Sequence, residues 1–303
     1  MRPDDIAFQG AAPLQSPPGQ GVERGPNHTD MEKEALHLWF AYPNDVLADR
    51  TAHACELLLS EDERARWQAF KFDRLRREYL TTRALVRTAL SHYHPIPPHA
   101  WRFTLNAYGK PATDPECGLR FNLSNSPGLV VCLIGQEGEL GVDVEPRERV
   151  REIAEVAATA FSPLELAQLE ALPSSEQLDR GLSLWTLKEA YIKARGMGLS
   201  LPLNKFYFLF GGAEGIRLEL DPCLNDEPGR WRFCLLERAG HRVALMAESA
   251  ADPELEMWEA RPLLAAPTQL PTGGEEWFPH SQAVGFQGVS EHVLAGDKHP
   301  LRR

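Results

Sequence analysis

The amino-acid sequence predicts an α+β protein with two β-sheets. Three patterns indicate this fold: strand-forming residues around a turn over 120–134, helical periodicity before and after that block, and a second group of strand-forming runs over 206–247. The length of 303 residues allows one large domain or two modest ones.

The first half of the chain alternates short strands with two helices. Residues 1–30 are rich in Pro, Gly, Gln and Asp and are expected to form a flexible leader. Ser60 and Glu63 have the spacing of a capping box, so a helix is expected over about 60–70. A second helix is expected over about 74–92, where apolar residues recur at helical spacing. The other elements expected here are strands at 36–42 and 101–105 and a loop at 107–115.

The second half opens with a hairpin. Residues 120–124 and 129–134 flank a turn signal, Asn-Ser-Pro-Gly. A long helix is expected over about 176–195, ending at Gly196. The other elements expected here are a strand at 140–145, helices at about 150–160 and from Ser162 onward, and strands of a second sheet at 206–210, 216–220, 231–237 and 243–247.

Composition excludes several classes of protein. Hydrophobic residues make up 43% and charged residues 25%, which is typical of a globular chain. No apolar run approaches the ~18–20 residues that a membrane helix needs, and the N-terminus lacks a secretory pattern. The net charge of −11 argues against general nucleic-acid binding. Five cysteines without CxxC spacing favour a reducing cytosol over a disulfide framework.

One segment is strongly basic within this acidic chain. Between Arg64 and Arg87 eight Lys or Arg residues stand against two acidic ones. Such a run is compatible with an ordinary solvated helix face. The alternative is a docking surface for an anionic ligand or an acidic partner, because the arginine fork suits phosphate.

Asp143 and Glu145 are candidate metal ligands. They lie two residues apart on an expected strand, so both side chains point to one face while Val142 and Val144 point to the core. Two carboxylates at this spacing can converge on one hard cation. An exposed strand face also tolerates acids, so the pair alone does not establish a metal site.

A second candidate group lies on the helix expected over 176–195. Trp185, Glu189 and Lys193 are four residues apart and share one face, while Lys188 points to a neighbouring one. A Glu–Lys pair at this spacing is a common surface ion pair. A tryptophan one turn before it favours a partly buried face instead.

Two further residues have simple structural alternatives. Glu165 follows Ser162 at capping-box spacing and can bond the start of its own helix. Lys110 lies in the loop Tyr-Gly-Lys-Pro, where lysines are usually solvated. The ten histidines lack metal spacing, and no phosphate-loop, dinucleotide or GxSxG motif is present.

The order of these segments resembles a known family, the 4′-phosphopantetheinyl transferases of the two-lobed Sfp type. The resemblance covers roughly 60–202 and includes the basic helices. Its motifs are YGKP at 108–111, FNLSNS at 121–126, GVDVE at 141–145, FSPLE at 161–165, WTLKEAYIK at 185–193 and GMGLSLP at 196–202.

That resemblance implies an enzyme that transfers the 4′-phosphopantetheine arm of coenzyme A to a serine of a carrier protein, the holo-[acyl-carrier-protein] synthase reaction, with Mg²⁺ as cofactor. The implied fold is α+β, with two similar lobes in a pseudo-twofold arrangement, each a small antiparallel sheet with packed helices. The implied division of the chain is a leader at 1–30, an N-terminal lobe at 31–138, a C-terminal lobe with the metal site at 139–263 and a loose tail at 264–303.

The resemblance also implies roles for individual residues. Asp143, Glu145 and Glu189 would hold the magnesium. Glu189 is the candidate base for the carrier serine, with a metal-bound water as the alternative. Lys193 and Lys188 would pair with phosphate. The residues expected at the nucleotide phosphates are Arg66, Lys110, Ser124 and Asn125, the last replacing a histidine found in many family members, and Glu165 is a further candidate catalytic acid.

The expected partners are coenzyme A and acyl carrier proteins or peptidyl carrier domains, without nucleic acid or membrane. A cytoplasmic monomer is expected. The sequence does not distinguish carriers of fatty acid, polyketide or nonribosomal peptide synthesis. Two alternatives are a catalytically silent coenzyme A binding module and a carrier-docking scaffold.

Overall fold

The structure, a computed structural model, describes residues 31–47, 49–211, 215–261 and 263–272. Its first sheet contains the strands β1 (Ala35–Ala41), β4 (Arg120–Ser126), β5 (Leu129–Gly135), β11 (Glu254–Glu259) and β12 (Thr268–Leu270). In space they follow the order β12-β11-β1-β5-β4. Strand β1 pairs in parallel with β11, and all other neighbours in this sheet are antiparallel.

A second, antiparallel sheet has the order β6-β10-β9. Its strands are β6 (Leu140–Pro146), β9 (Trp231–Arg238) and β10 (His241–Glu248). Two separate ribbons are formed by β2 (Arg102–Leu105) with β3 (Pro111–Asp114) and by β7 (Phe206–Phe210) with β8 (Ile216–Leu220).

The helices described are α1 (Asp49–Glu56), α2 (Glu61–Ala69), α3 (Asp73–Tyr93), α4 (Val150–Ala160), α5 (Pro163–Glu170) and α6 (Ser174–Arg195). The two longest, α3 and α6, each cover one sheet. None of the described helices combines the length and apolar character needed to cross a bilayer.

The two sheets face each other across a shared apolar core. Leu38 and Val131 of the first sheet and Val142 and Val243 of the second are fully buried in it. The opposite face of the first sheet packs under α3, and the opposite face of the second packs under α6. The molecule is therefore layered helix, sheet, sheet, helix, which agrees with the expected α+β fold of two lobes.

Local patterns predicted most elements well. Ser60 and Ser162 each form the expected capping box, β4 and β5 form the expected hairpin, and α6 ends at Gly196 in the left-handed conformation (φ 61°). Val142 and Val144 face the core as predicted.

Three expectations were wrong. The loop at 107–115 contains β3, which pairs with β2. The strands at 206–220 form their own ribbon and do not join β9 and β10. The tail from 264 is not wholly loose, because β12 pairs with β11, and β11 itself returns to the first sheet. The leader at 1–30 and the tail from 273 lie outside the described residues.

Candidate active site

The candidate site begins where the edge of the first sheet meets the edge of the second. Asn122 and Ser124 alternate on one face of β4 and reach across to β6. The Asn122 Oδ1 accepts a hydrogen bond from the Val142 amide at 2.9 Å, and the Ser124 Oγ accepts one from the Val144 amide at 3.3 Å. These side chains satisfy backbone donors at an otherwise unpaired strand edge, so the polar positions of the FNLS motif join the two lobes.

Helix α6 crosses β6 at very short range, on the face opposite to Val142 and Val144. A Cβ atom on Gly141 would lie 2.0 Å from the Ala190 carbonyl oxygen and 2.6 Å from the Ala194 amide nitrogen. Only glycine permits this approach. The close crossing places the side chains of Asp143 and Glu145 directly under the helix.

Asp143 is buried and paired. Its Oδ1 accepts hydrogen bonds from the Ser124 Oγ at 3.0 Å and from the Lys193 Nζ at 2.8 Å. The Lys193 ammonium also donates to the Ser124 Oγ at 2.7 Å. Only 1% of Asp143 is exposed, so the alternative of an acid tolerated on an exposed strand face does not hold. The Asp143 Oδ2 accepts no hydrogen bond from the described residues.

Glu145 is completely buried one pleat further along β6. Its Oε1 accepts a hydrogen bond from the Trp185 indole at 2.9 Å, and its Oε2 forms an ion pair with the Arg149 Nη1 at 2.6 Å. Trp185 therefore belongs to the site and positions this carboxylate.

Glu189 lies between these two contacts on α6. It is four residues from Trp185, which contacts Glu145, and four residues from Lys193, which contacts Asp143. Residues at this spacing share one helix face. The half-buried Glu189 side chain is thus on the face that covers the two β6 acids.

The chemistry of this set suits a hard divalent cation. Asp143, Glu145 and Glu189 offer carboxylate oxygens from one strand and the helix above it, and the buried Asp143 Oδ2 has an unused acceptor. Among the described residues, however, no three His, Cys, Asp or Glu side chains are already arranged around a common metal position. Lys193 and Arg149 instead supply the positive charge beside the acids.

Glu165 and Lys188 form a buried ion pair elsewhere in the second lobe. The Glu165 Oε2 lies 2.8 Å from the Lys188 Nζ, and both side chains are fully buried. Lys188 also donates to the carbonyl oxygens of Leu203 and Phe206, while the Glu165 Oε1 accepts from the Phe208 amide. Burial lowers the pKa of Lys188, and Glu165 opposes that shift.

In this structure the two side chains have structural contacts, and the phosphate-pairing role of Lys188 and the catalytic role of Glu165 stay predictions. Lys188 has three acceptors for its three protons and none left for a phosphate. Glu165 caps its own helix and pairs with Lys188, so the structural alternative for Glu165 holds. The pair fixes α6 against α5 and β7.

Lys110 is also placed differently from the expectation. Its Nζ forms an ion pair with Glu139 at 2.5 Å and donates to the Ala194 carbonyl oxygen at 2.7 Å. Asn106 donates to the Gly196 carbonyl oxygen at 2.8 Å. Burial lowers the pKa of Lys110, against the effect of Glu139. The loop thus caps the C-terminal end of α6, and the structure shows Lys110 joining the lobes.

The two remaining expected residues belong to elements of the first lobe. Asn125 is half-buried and follows Ser124 on β4, so it points to the opposite side of that strand. Arg66 is half-buried on α2. Sequence reasoning did not select Asn122 or Arg149. The polar residue within a buried strand could have indicated Asn122, whereas no local pattern marked Arg149.

Comparison with known proteins matches the part of the chain that contains β6 and α6. Residues 139–246, which run from the start of β6 into β10, match the 4′-phosphopantetheinyl transferase superfamily. The chain is 33% identical over 213 residues to the 4′-phosphopantetheinyl transferase Sfp of Bacillus subtilis, covering 65% of this chain and 90% of that protein.

Two other relatives are also similar to this chain. The 4′-phosphopantetheinyl transferase HetI of Nostoc sp. is 33% identical over 185 residues, which covers 59% of this chain and 76% of HetI. The 4′-phosphopantetheinyl transferase AcpT of Escherichia coli is 38% identical over 124 residues, 40% of this chain and 58% of AcpT. Since the acid pair of β6 and the Trp-Glu-Lys face of α6 lie within the matched region, the chain belongs to the Sfp-type 4′-phosphopantetheinyl transferases.

Proposed function

We propose that this chain transfers the 4′-phosphopantetheine arm of coenzyme A to a serine of acyl carrier proteins or peptidyl carrier domains, with Mg²⁺ as cofactor. The observation that carries the proposal is the α6 face: Glu189 lies between the two contacts that bind this face to Asp143 and Glu145. The relatives at 33% identity support the reaction class.

In the proposed reaction the serine oxygen forms a bond to the phosphorus that carries the pantetheine arm. The bond from that phosphorus to the bridging pyrophosphate oxygen breaks, and adenosine 3′,5′-bisphosphate leaves. Glu189 accepts the serine proton, directly or through a water molecule. Lys193 holds an ammonium beside the acids and pairs with a phosphate oxygen.

Asp143, Glu145 and Glu189 are the residues that would hold the magnesium, which supplies charge neutralisation on the pyrophosphate. The chain itself holds the acidic side chains in position. The Gly141 crossing, the Trp185–Glu145 hydrogen bond and the Ser124–Asp143 hydrogen bond set the acids before any substrate arrives. Phosphoryl transfer depends mainly on such positioning and on electrostatics.

The test is a transfer assay with coenzyme A, MgCl₂ and apo forms of an acyl carrier protein and a peptidyl carrier domain. Mass spectrometry should show a gain of one phosphopantetheine arm, lost with a carrier whose serine is replaced by Ala. Binding of coenzyme A without transfer to any carrier would identify a silent binding module instead. Binding of the carrier without coenzyme A binding would identify a docking scaffold.

A further inference from the structure

Arg149 links a buried acid of the site to an exposed acid outside it. Its Nη1 lies 2.6 Å from the Glu145 Oε2, and its Nε lies 2.9 Å from the Glu152 Oε2. Glu145 is completely buried, whereas 68% of the Glu152 side chain is exposed. The guanidinium therefore reaches inward from the rim of the site, at the residue preceding α4.

The buried Glu145 carboxylate requires a positive partner. An ionised carboxylate removed from water is strongly disfavoured unless a cation and hydrogen bonds compensate for the lost hydration. The Trp185 indole supplies a neutral hydrogen bond. Arg149 supplies the positive charge, just as Lys193 supplies it at the Asp143 Oδ1.

We propose that Arg149 is a placeholder cation, which neutralises Glu145 until a divalent metal binds and which competes with that metal for the carboxylate. The proposal rests on the metal assignment in the proposed function. The independent sign that this acid group accepts a further cation is the Asp143 Oδ2, which is buried and accepts no hydrogen bond from the described residues.

The geometry gives Arg149 a place to go when it is displaced. Glu152 lies one helical turn into α4 and already pairs with the Arg149 Nε. Arg149 can therefore leave Glu145 and remain paired at the surface. The affinity of the site for the metal therefore depends on how Arg149 divides its pairing between the buried Glu145 and the exposed Glu152.

The test is a thermal-unfolding titration of the full chain with MgCl₂ at constant ionic strength, without coenzyme A. A ligand that binds the native state raises the melting temperature according to its affinity. Arg149→Gln, which retains a hydrogen-bond donor without the charge, should bind Mg²⁺ at least about tenfold more tightly than the unchanged chain, because a close positive charge is removed. Arg151→Gln is the matched control, because Arg151 is exposed on α4. The Mg²⁺ affinity of this variant should stay within about twofold of that of the unchanged chain.

Glu152→Gln should change the Mg²⁺ affinity in the opposite direction, and it alters only an exposed residue. Arg149 then has Glu145 as its remaining acid, so Mg²⁺ should bind about two- to fivefold more weakly. This variant keeps the proposal testable if Arg149→Gln does not fold.

Equal Mg²⁺ affinity in the unchanged chain, Arg149→Gln and Glu152→Gln would overturn the placeholder role and leave the transferase proposal standing. Absence of Mg²⁺ binding in all of them would overturn both the placeholder role and the metal assignment. The carrier-transfer assay judges the reaction itself separately.

Discussion

Gly141 is the position at which a single methyl group should disturb the site most. In Gly141→Ala the new Cβ would lie 2.0 Å from the Ala190 carbonyl oxygen, 2.6 Å from the Ala194 amide nitrogen and 2.9 Å from the Ala194 Cβ. Two of these atoms are helix backbone, so no side-chain rotation relieves the clash. Restoring an ordinary contact of 3.4 Å requires the helix and strand to separate by about 1.4 Å.

That separation has two measurable consequences. Overpacking of this kind costs about 1–3 kcal/mol, and the melting temperature should fall by about 2–4 °C for each kcal/mol in a chain of this size. The shift also pulls Lys193 away from Asp143, whose present 2.8 Å contact would exceed hydrogen-bond distance. A displacement of about 1 Å in a catalytic group can reduce turnover about 10²-fold, so transfer should fall further than the folded fraction does.

The assay combines thermal unfolding with transfer kinetics at a temperature at which both proteins are folded. Gly181→Ala is the matched control, because a Cβ on Gly181 of the same helix meets no atom within 4 Å. That change should leave transfer intact and stabilise α6 by about 0.5–1 kcal/mol. A Gly141→Ala protein with unchanged melting temperature and turnover would refute the tight crossing of α6 over β6.

Three further predictions concern the acid group, the first lobe and the basic segment. Glu189→Gln should lower kcat by about 10²–10⁴ with little change in melting temperature, and equal loss of stability and activity would indicate a structural ion pair instead. Burial lowers the pKa of His37 from 6.5 to about 4, so the unfolded chain binds the extra proton. The free energy of unfolding should therefore carry no penalty from His37 above pH 6.5 and should fall by about 3 kcal/mol as the pH drops from 6.5 to below 4. Chemical denaturation of His37→Gln should show a smaller fall over this range. Lys71→Glu, at an exposed residue beside the exposed Phe72, should raise the KM for an acidic carrier but not that for coenzyme A, and a defect unaffected by salt would exclude this surface as the dock.

Periodicity alone was sufficient for several features of the site. Alternation along β6 placed Asp143 and Glu145 on one face, and the four-residue spacing on α6 placed Glu189 and Lys193 on another. These relations are properties of an isolated strand or helix, so they hold whatever the rest of the chain does. The capping box at Ser162 was predictable for the same reason.

Burial was not predictable from local pattern. The face of β6 that carries Asp143 looks exposed in the sequence, yet it is covered by a helix that begins about thirty residues later. The sequence also does not show that Lys188 and Glu165 meet, yet the packing of α6 against α5 joins them in a fully buried ion pair. Which charges meet depends on contacts between remote segments.

The sequence by itself predicted which residues are candidates for the chemistry and determined which of them share a face. Only the tertiary structure decided that Gly141 admits α6 onto β6, that Arg149 and Lys193 hold the acids, and that β11 returns to the first sheet. The physical reason is that side-chain direction is local, whereas burial, and with it the partner that each buried charge requires, is created when distant elements pack.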